Sequence, residues 1–149
     1  MKFSVEQIVP EQEEAVTVKC HNISSEWVEN IREAAFGQRT VCGYKSGDLY
    51  RIKLTDIYYF EIVDNNSFLY TKNDLYESRE KLYEFEKLCV RSSLFRCGKS
   101  MIVNADKIDY IRPSFSGRFE AVLSNGEKII VSRKYVSELK KQFGIREGL

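Results

Sequence analysis

The side chains that could carry out acid–base, nucleophilic or metal chemistry are few and widely separated in this sequence. His21 is the only histidine, so a Ser-His-Asp triad or a metal site would have no second imidazole to draw on. Its neighbour Cys20 points to the opposite face if both residues lie in a strand, which keeps the two apart. Carboxylate pairs such as Glu84 and Glu86 fall in a charged helical segment, where a solvated surface explains them better than catalysis. No glycine-rich phosphate loop is present, and we expect no enzyme activity, no cofactor and no metal.

The four cysteines, Cys20, Cys42, Cys89 and Cys97, form no CxxC pair. We expect isolated thiols that are buried or partly buried, rather than a zinc cluster or a redox pair. No apolar run approaches the roughly 18 residues that would span a bilayer, and residues 1–15 lack the apolar core of a signal peptide. These features predict a cytoplasmic protein with no membrane partner.

The charged residues are unevenly distributed along the chain, although the net charge is only +1. Residues 1–40 contain four Lys or Arg against seven Glu, whereas residues 89–149 contain twelve Lys or Arg against six acidic residues. A basic C-terminal part favours a polyanion as the partner. Solvated surface Lys and Arg are the ordinary alternative.

The elements that must position these charges follow a pattern typical of a mainly β fold with a minor α content. Aromatic residues make up 13% of the chain, and short alternating segments are separated by turn residues. We expect eight to ten short strands and two or three helices. Strands are predicted at residues 15–21, 40–45, 49–54, 57–63, 67–71, 75–78, 100–103, 108–112, 119–124 and 128–131.

Helices are predicted in three places, each with a plausible start or stop signal. The first follows the capping residues 24–26 and ends at Gly37, the second covers 79–89, and the third covers 133–143 between Ser132 and Gly144. Asn125-Gly126 is the strongest hairpin signal in the chain. This pattern divides the chain into a short strand–helix extension, residues 1–39, and a domain of residues 40–149.

Three stretches of the predicted domain carry a resemblance to a known family. They are IKLTDIYYFE at 52–61, LFRCGKSMIVN at 94–104, and LSNGEKIIVSRKY at 123–135 followed by Leu139-Lys140. Their order and spacing resemble the LytTR family of DNA-binding domains over about residues 40–143. The resemblance implies an elongated β-β-β arrangement of sheets with little helix. It also implies that loops, rather than a recognition helix, enter successive grooves of double-stranded DNA.

The resemblance implies a transcription regulator that binds DNA in a sequence-specific way, as a homodimer on the DNA. Its first contact region is the turn at 64–67, where Asn65 and Asn66 are expected to pair with adenine edges and Ser67 to lie beside them. An ordinary hairpin turn is the alternative interpretation of these residues.

Two further contact regions follow from the same resemblance. Lys99 and Ser100 fall where the family places a residue that reaches the bases, although many members have a polar residue where this chain has Gly98. Arg133 and Lys134 match the contact region at the start of the last helix. Cations at a helix N-terminus do not stabilise the helix, so they indicate an anionic partner.

Three more arginines are candidates for contacts to the DNA backbone. Arg112 and Arg118 flank the turn at 113–117, and Arg96 either reaches a phosphate or serves the structure. Many family members carry a receiver domain, which residues 1–39 are too short to form. A stand-alone regulator is therefore expected, whose extension covers a sheet edge, forms a dimer contact or binds an effector of unknown kind. The competing function is a protein-interaction or effector-sensing module that has lost DNA binding.

Overall fold

A computed structural model describes residues 1–145 of the chain, apart from the side chain of Phe36. The chain forms two compact units, one of residues Met1–Gly37 and one that begins at Gln38. Within residues 1–145, no helix is both long enough and apolar enough to cross a membrane.

The first unit contains one helix, α1, at Glu26–Phe36. Gly37 ends the helix at a φ of 89°, and its N–H donates to the carbonyl of Glu33, as the sequence predicts. The predicted strand at 15–21 is wrong, because these residues have no strand hydrogen bonds. Alternating apolar residues form a strand only beside a second strand, and Val16 remains 64% exposed.

The second unit contains ten strands and two helices within its described residues. The predicted mainly β fold is confirmed. The helices are α2 at Leu82–Leu88 and α3 at Val136–Gln142, the latter preceded by a 3₁₀ turn at Arg133–Tyr135. The strands are β1 Thr40–Lys45, β2 Asp48–Lys53, β3 Tyr59–Val63, β4 Asn66–Tyr70, β5 Leu75–Ser78, β6 Leu94–Gly98, β7 Met101–Asn104, β8 Ile108–Pro113, β9 Phe119–Leu123 and β10 Lys128–Val131.

Two of these elements differ from the sequence prediction in an informative way. Strand β6 was not among the predicted strands, because its apolar residues do not alternate clearly with polar ones and its pairing with β7 is interrupted by a bulge between Arg96 and Gly98. Helix α2 is shorter than the predicted 79–89, since Lys81 still has an extended ψ of 163° and acts as the N-cap residue.

The strands form a seven-stranded antiparallel sheet in the order β2-β1-β5-β4-β3-β7-β6 and a three-stranded sheet in the order β10-β9-β8. One core packs α2 on the large sheet, with the rings of Phe60 and Phe85 stacked at 4.3 Å. The other core includes residues of both sheets and Leu139 of α3. Hydrophobic burial on both faces of the central strands therefore stabilises the large sheet.

Asn104, at the end of β7, is the buried polar residue of this unit among the described residues. Its amide nitrogen donates to the carbonyl of Ile57 at 2.8 Å, and its side-chain oxygen accepts from the N–H of Asp106 at 3.0 Å. Both ends of the amide are satisfied, as a buried polar side chain requires. Asn104 thus ties the end of β7 to the segment before β3.

The cysteines are mostly as expected, with one exception. Cys89 and Cys97 are buried, Cys20 is partly buried, and burial raises the pKa of both the Cys89 and the Cys97 thiol to about 12. Cys42 is exposed, so the prediction is wrong for this residue. In β1 it is Val41 that faces the core, and alternation turns the next side chain to solvent.

Candidate nucleic-acid interface

The turns after β3 and β6 lie side by side at one end of the large sheet. Strands β3 and β7 are antiparallel neighbours that pair Glu61 with Met101, so the end of β3 meets the start of β7. The N–H of Ile62 donates to the carbonyl of Ser100 at 2.9 Å. The β3–β4 turn at 64–65 and the β6–β7 turn at 99–100 are therefore held next to each other.

The start of the last helix is attached to the same end of the sheet. The N–H of Ser132 donates to the carbonyl of Cys97 at 2.9 Å, so β10 leaves its own sheet beside β6. Arg133 and Lys134 follow directly in the 3₁₀ turn, and both side chains are exposed. This single backbone bond brings the third predicted contact region beside the turn that carries Lys99.

The β8–β9 connection completes this surface. The N–H of Ser114 donates to the carbonyl of Arg118 at 2.8 Å, which closes the loop. Gly117 lies so near Arg133 that an added Cβ would be 3.1 Å from the Arg133 Cδ. We call the four neighbouring segments, residues 64–67, 98–100, 114–118 and 132–134, the contact end.

The β3–β4 turn presents one asparagine and uses its neighbours internally. Asp64 and Asn65 have φ values of 50° and 65°, the left-handed conformation that a two-residue hairpin turn requires and Asn tolerates. Asn66 donates from Nδ2 to the carbonyl of Asp64 at 3.1 Å, and the Ser67 hydroxyl donates to the carbonyl of Glu80 at 2.7 Å. Asn65 therefore stands at the tip of the turn, exposed.

Arg96 is engaged by the turn that follows it. Its Nε donates to the carbonyl of Gly98 at 2.7 Å, and one terminal nitrogen donates to the carbonyl of Lys99 at 2.8 Å. The other terminal nitrogen lies 3.4 Å from the Glu86 carboxylate. The guanidinium thus spans the β6–β7 turn and fixes the backbone that presents Lys99.

Arg112 is also paired, across the small sheet. It is in register with Glu120 on β9, and its guanidinium donates to Glu120 Oε1 at 2.6 Å and 3.2 Å. The guanidinium holds the pKa of the Glu120 carboxyl below its usual range. The net charge of this pair is zero, so Arg112 adds little to the potential of the contact end.

Four cations of the contact end differ from these two arginines. Lys99, Arg118, Arg133 and Lys134 are exposed, and none of them forms an ion pair with a carboxylate of residues 1–145. Cations that are uncompensated within the domain and grouped on one surface create a positive potential that attracts an anion. The arrangement suits an extended polyanion, because the cations come from three separate segments.

The sequence profile of the LytTr DNA-binding domain matches residues 47–144 of this chain. The chain belongs to the LytTR family. A solved LytTr DNA-binding domain from a Bacillus cereus protein described as a methyl-accepting/DNA response regulator superposes with a TM-score of 0.67 at 28% identity. The match covers 73% of this chain and 100% of that domain.

Longer regulators are similar over most of this chain. The sensory transduction protein LytT of Enterococcus faecalis is 26% identical over 91% of this chain, and the transcriptional regulatory protein YpdB of Escherichia coli is 26% identical over 89%. The chain spans only 58% and 57% of the length of these two relatives. LytT of Bacillus anthracis is 32% identical over 60% of this chain and 37% of its own length.

In the LytTR domain the predicted site residues lie near one another, but some side chains are exposed and others are already bonded within the domain. Asn65, Lys99, Arg133 and Lys134 are exposed at the contact end, whereas the Ser67 hydroxyl and the Arg96 guanidinium already serve internal bonds. One neighbouring residue was not among the predicted ones. Phe115 lies in the β8–β9 connection with 88% of its surface exposed. The sequence does contain a signal for this residue. A single aromatic residue flanked by the turn-forming pairs Pro113-Ser114 and Ser116-Gly117 indicates an aromatic side chain in an exposed loop.

Proposed function

We propose that this LytTR domain binds double-stranded DNA with sequence preference through the loops of its contact end, and that it regulates transcription by doing so. The observation that carries the proposal is the convergence of four connections on one end of the sheets. They present four exposed cations that no described carboxylate neutralises. The family membership supports DNA as the polyanion.

The cations and the amide have different roles in this proposal. Arg118, Arg133 and Lys134 neutralise phosphates, which positions the domain on the duplex without reading sequence. Asn65, with Asn66 beside it, reads adenine edges, and Lys99 reaches a base acceptor such as those of guanine. Each well-placed bidentate contact discriminates against a wrong base by about 1–3 kcal/mol. Ser100, whose carbonyl accepts from the N–H of Ile62, holds the turn that carries Lys99 at the start of β7.

Arg96 and Arg112 have a positioning role in this proposal, since both guanidinium groups are already bonded. Arg96 holds the turn that carries Lys99, and Arg112 keeps β8 and β9 in register below the loop that carries Arg118. Removing either side chain weakens DNA binding indirectly, through the geometry of the turn.

We further propose that two copies bind one DNA target, on paired half-sites. Half-sites about 10 base pairs apart, or a multiple of this spacing, place both copies on the same face of the duplex. We assign the contact between the two copies to residues 1–37, which form a compact unit of their own.

Fluorescence anisotropy tests the function directly. The protein is titrated onto a duplex from its own promoter and onto a scrambled duplex, at about 50 and 200 mM salt. We expect selective binding to the promoter that weakens with salt, and weaker binding by Lys134→Ala to both duplexes. The matched control is Lys72→Ala, in the β4–β5 turn at the other end of the same strands. Absence of selective binding at either salt concentration would contradict the proposal and favour an interaction module.

A further inference from the structure

Phe115 is an exposed aromatic residue in the β8–β9 loop of the contact end. The residue is 88% exposed, the highest value among the large apolar residues from Gln38 to Ile145. A large apolar side chain in this position gains nothing from solvent and contributes nothing to the core. Its place beside the cations of the contact end indicates a role in binding.

The loop that carries Phe115 is held in a defined conformation. Hydrogen bonds join Ser114 to Arg118 at 2.8 Å and Arg118 to Phe115 at 3.2 Å. Ser116 has a φ of 58° and Gly117 a φ of 75°, so the chain reverses directly after the ring. Gly117 rests on the aliphatic part of Arg133, where a Cβ would be 3.1 Å from Cδ. The ring is therefore presented outward by a closed loop.

The charges around the ring indicate what it meets. Arg118 follows it in the loop, Arg133 lies under the loop, and the nearby Glu120 is already paired with Arg112. The loop from Ser114 to Arg118 contains no acidic residue. An apolar tip between cations matches the wedges of proteins that bend DNA, in which cations bind phosphates and an apolar side chain enters a base step.

We propose that Phe115 is an apolar wedge that partly unstacks one base step of the bound DNA and bends the duplex at that point. The inference rests on the proposed function, since it assigns a further contact to the same surface. It adds a means of discrimination that needs no hydrogen bond to a base, because flexible pyrimidine–purine steps unstack at lower cost than others. The wedge would therefore favour targets with such a step under the β8–β9 loop.

The test measures DNA geometry and affinity together on the promoter duplex that the wild-type protein selects. A bend is measured by energy transfer between dyes at the two DNA ends, and unstacking by 2-aminopurine placed in turn at each step of the site. We expect the wild-type protein to bend the duplex by an angle in the range of about 20–90° and to brighten 2-aminopurine at one step. Phe115→Ala should abolish both signals and weaken binding roughly 5- to 100-fold.

Two variants control the interpretation. Phe115→Leu keeps an apolar wedge and should retain most of the bend, whereas Leu49→Ala removes another exposed apolar residue, 61% exposed on β2, and should change nothing. Selective binding with no bend and no brightening, or equal signals from Phe115→Ala, would overturn the wedge and leave the DNA-binding proposal standing. A loss of self-association in Phe115→Ala without a change in bending would also overturn it. No selective binding by the wild type would refute both proposals.

Discussion

The salt dependence of DNA binding follows from the number of uncompensated cations at the contact end. Each phosphate that a cation neutralises releases condensed counterions, and the logarithm of the affinity falls with the logarithm of salt concentration by about 0.9 per contact. Arg118, Arg133 and Lys134 are the three exposed cations of the contact end assigned to phosphates, and none of them has a carboxylate partner among residues 1–145. If each binds one phosphate, one bound chain has a slope of about −2.7.

This slope predicts a loss of affinity of about 40-fold between 50 and 200 mM salt, for one chain on one half-site. Lys134→Ala removes one contact, which reduces the slope to about −1.8 and the loss to about 12-fold. The control variant Lys72→Ala, at the far end of the strands, should retain the wild-type slope. Two copies on a paired site should show about twice the slope of one.

Anisotropy titrations at four or five salt concentrations, on half-site and paired duplexes, measure these slopes. An unchanged slope in Lys134→Ala would remove this residue from the phosphate contacts. A slope shallower than about −1 in the wild-type protein would contradict phosphate binding by these cations, because the contact end would then neutralise at most one phosphate.

Three further predictions concern single residues. Asn65→Gly preserves the left-handed turn and should lower the preference for the promoter over its base-substituted variants by about 1–3 kcal/mol in competition titrations. The control Ser46→Gly, in the β1–β2 turn, should leave this preference unchanged. An equal loss in both variants would contradict base reading by Asn65. Asn104→Ala leaves the carbonyl of Ile57 and the N–H of Asp106 without their partner. The free energy of unfolding should fall by about 2–4 kcal/mol in urea titrations. A change below about 1 kcal/mol would show that water replaces the amide. At pH 8 iodoacetamide should alkylate the exposed Cys42 well before Cys97, because burial raises the pKa of the Cys97 thiol to about 12. Mass spectrometry of the labelled peptides measures the order of alkylation. The reverse order would show that Cys97 is accessible.

The parts of the fold that depend on local chemistry could be predicted from the sequence. The turn at Asp64-Asn65 adopts positive φ values, for which Asn and Asp are favoured after Gly, and it was predicted as a turn. The β6 strand was missed, since a buried apolar run has no clear period. The strand predicted at 15–21 failed because the pattern cannot show whether a neighbouring strand exists to pair with it.

The candidate site could be predicted as a set of residues but not as a surface. The contact end depends on the pairing of β3 with β7 and on the bond from Ser132 to Cys97, and both join residues far apart in sequence. Nor does the sequence show which arginines are already paired within the domain. Arg112 is neutralised by a carboxylate that the β8–β9 register places opposite it, which charge counting cannot reveal.

A nuclear magnetic resonance titration shows whether DNA binds at the contact end of the sheets. Backbone amide signals of the 15N-labelled protein are followed as a promoter half-site duplex is added. We expect the largest shifts at residues 64–67, 98–100, 114–118 and 132–134, with little change in the β4–β5 turn at 71–74 and in the β9–β10 turn at 124–126. Shifts concentrated at those two turns, or confined to residues 1–37, would contradict DNA binding at the contact end.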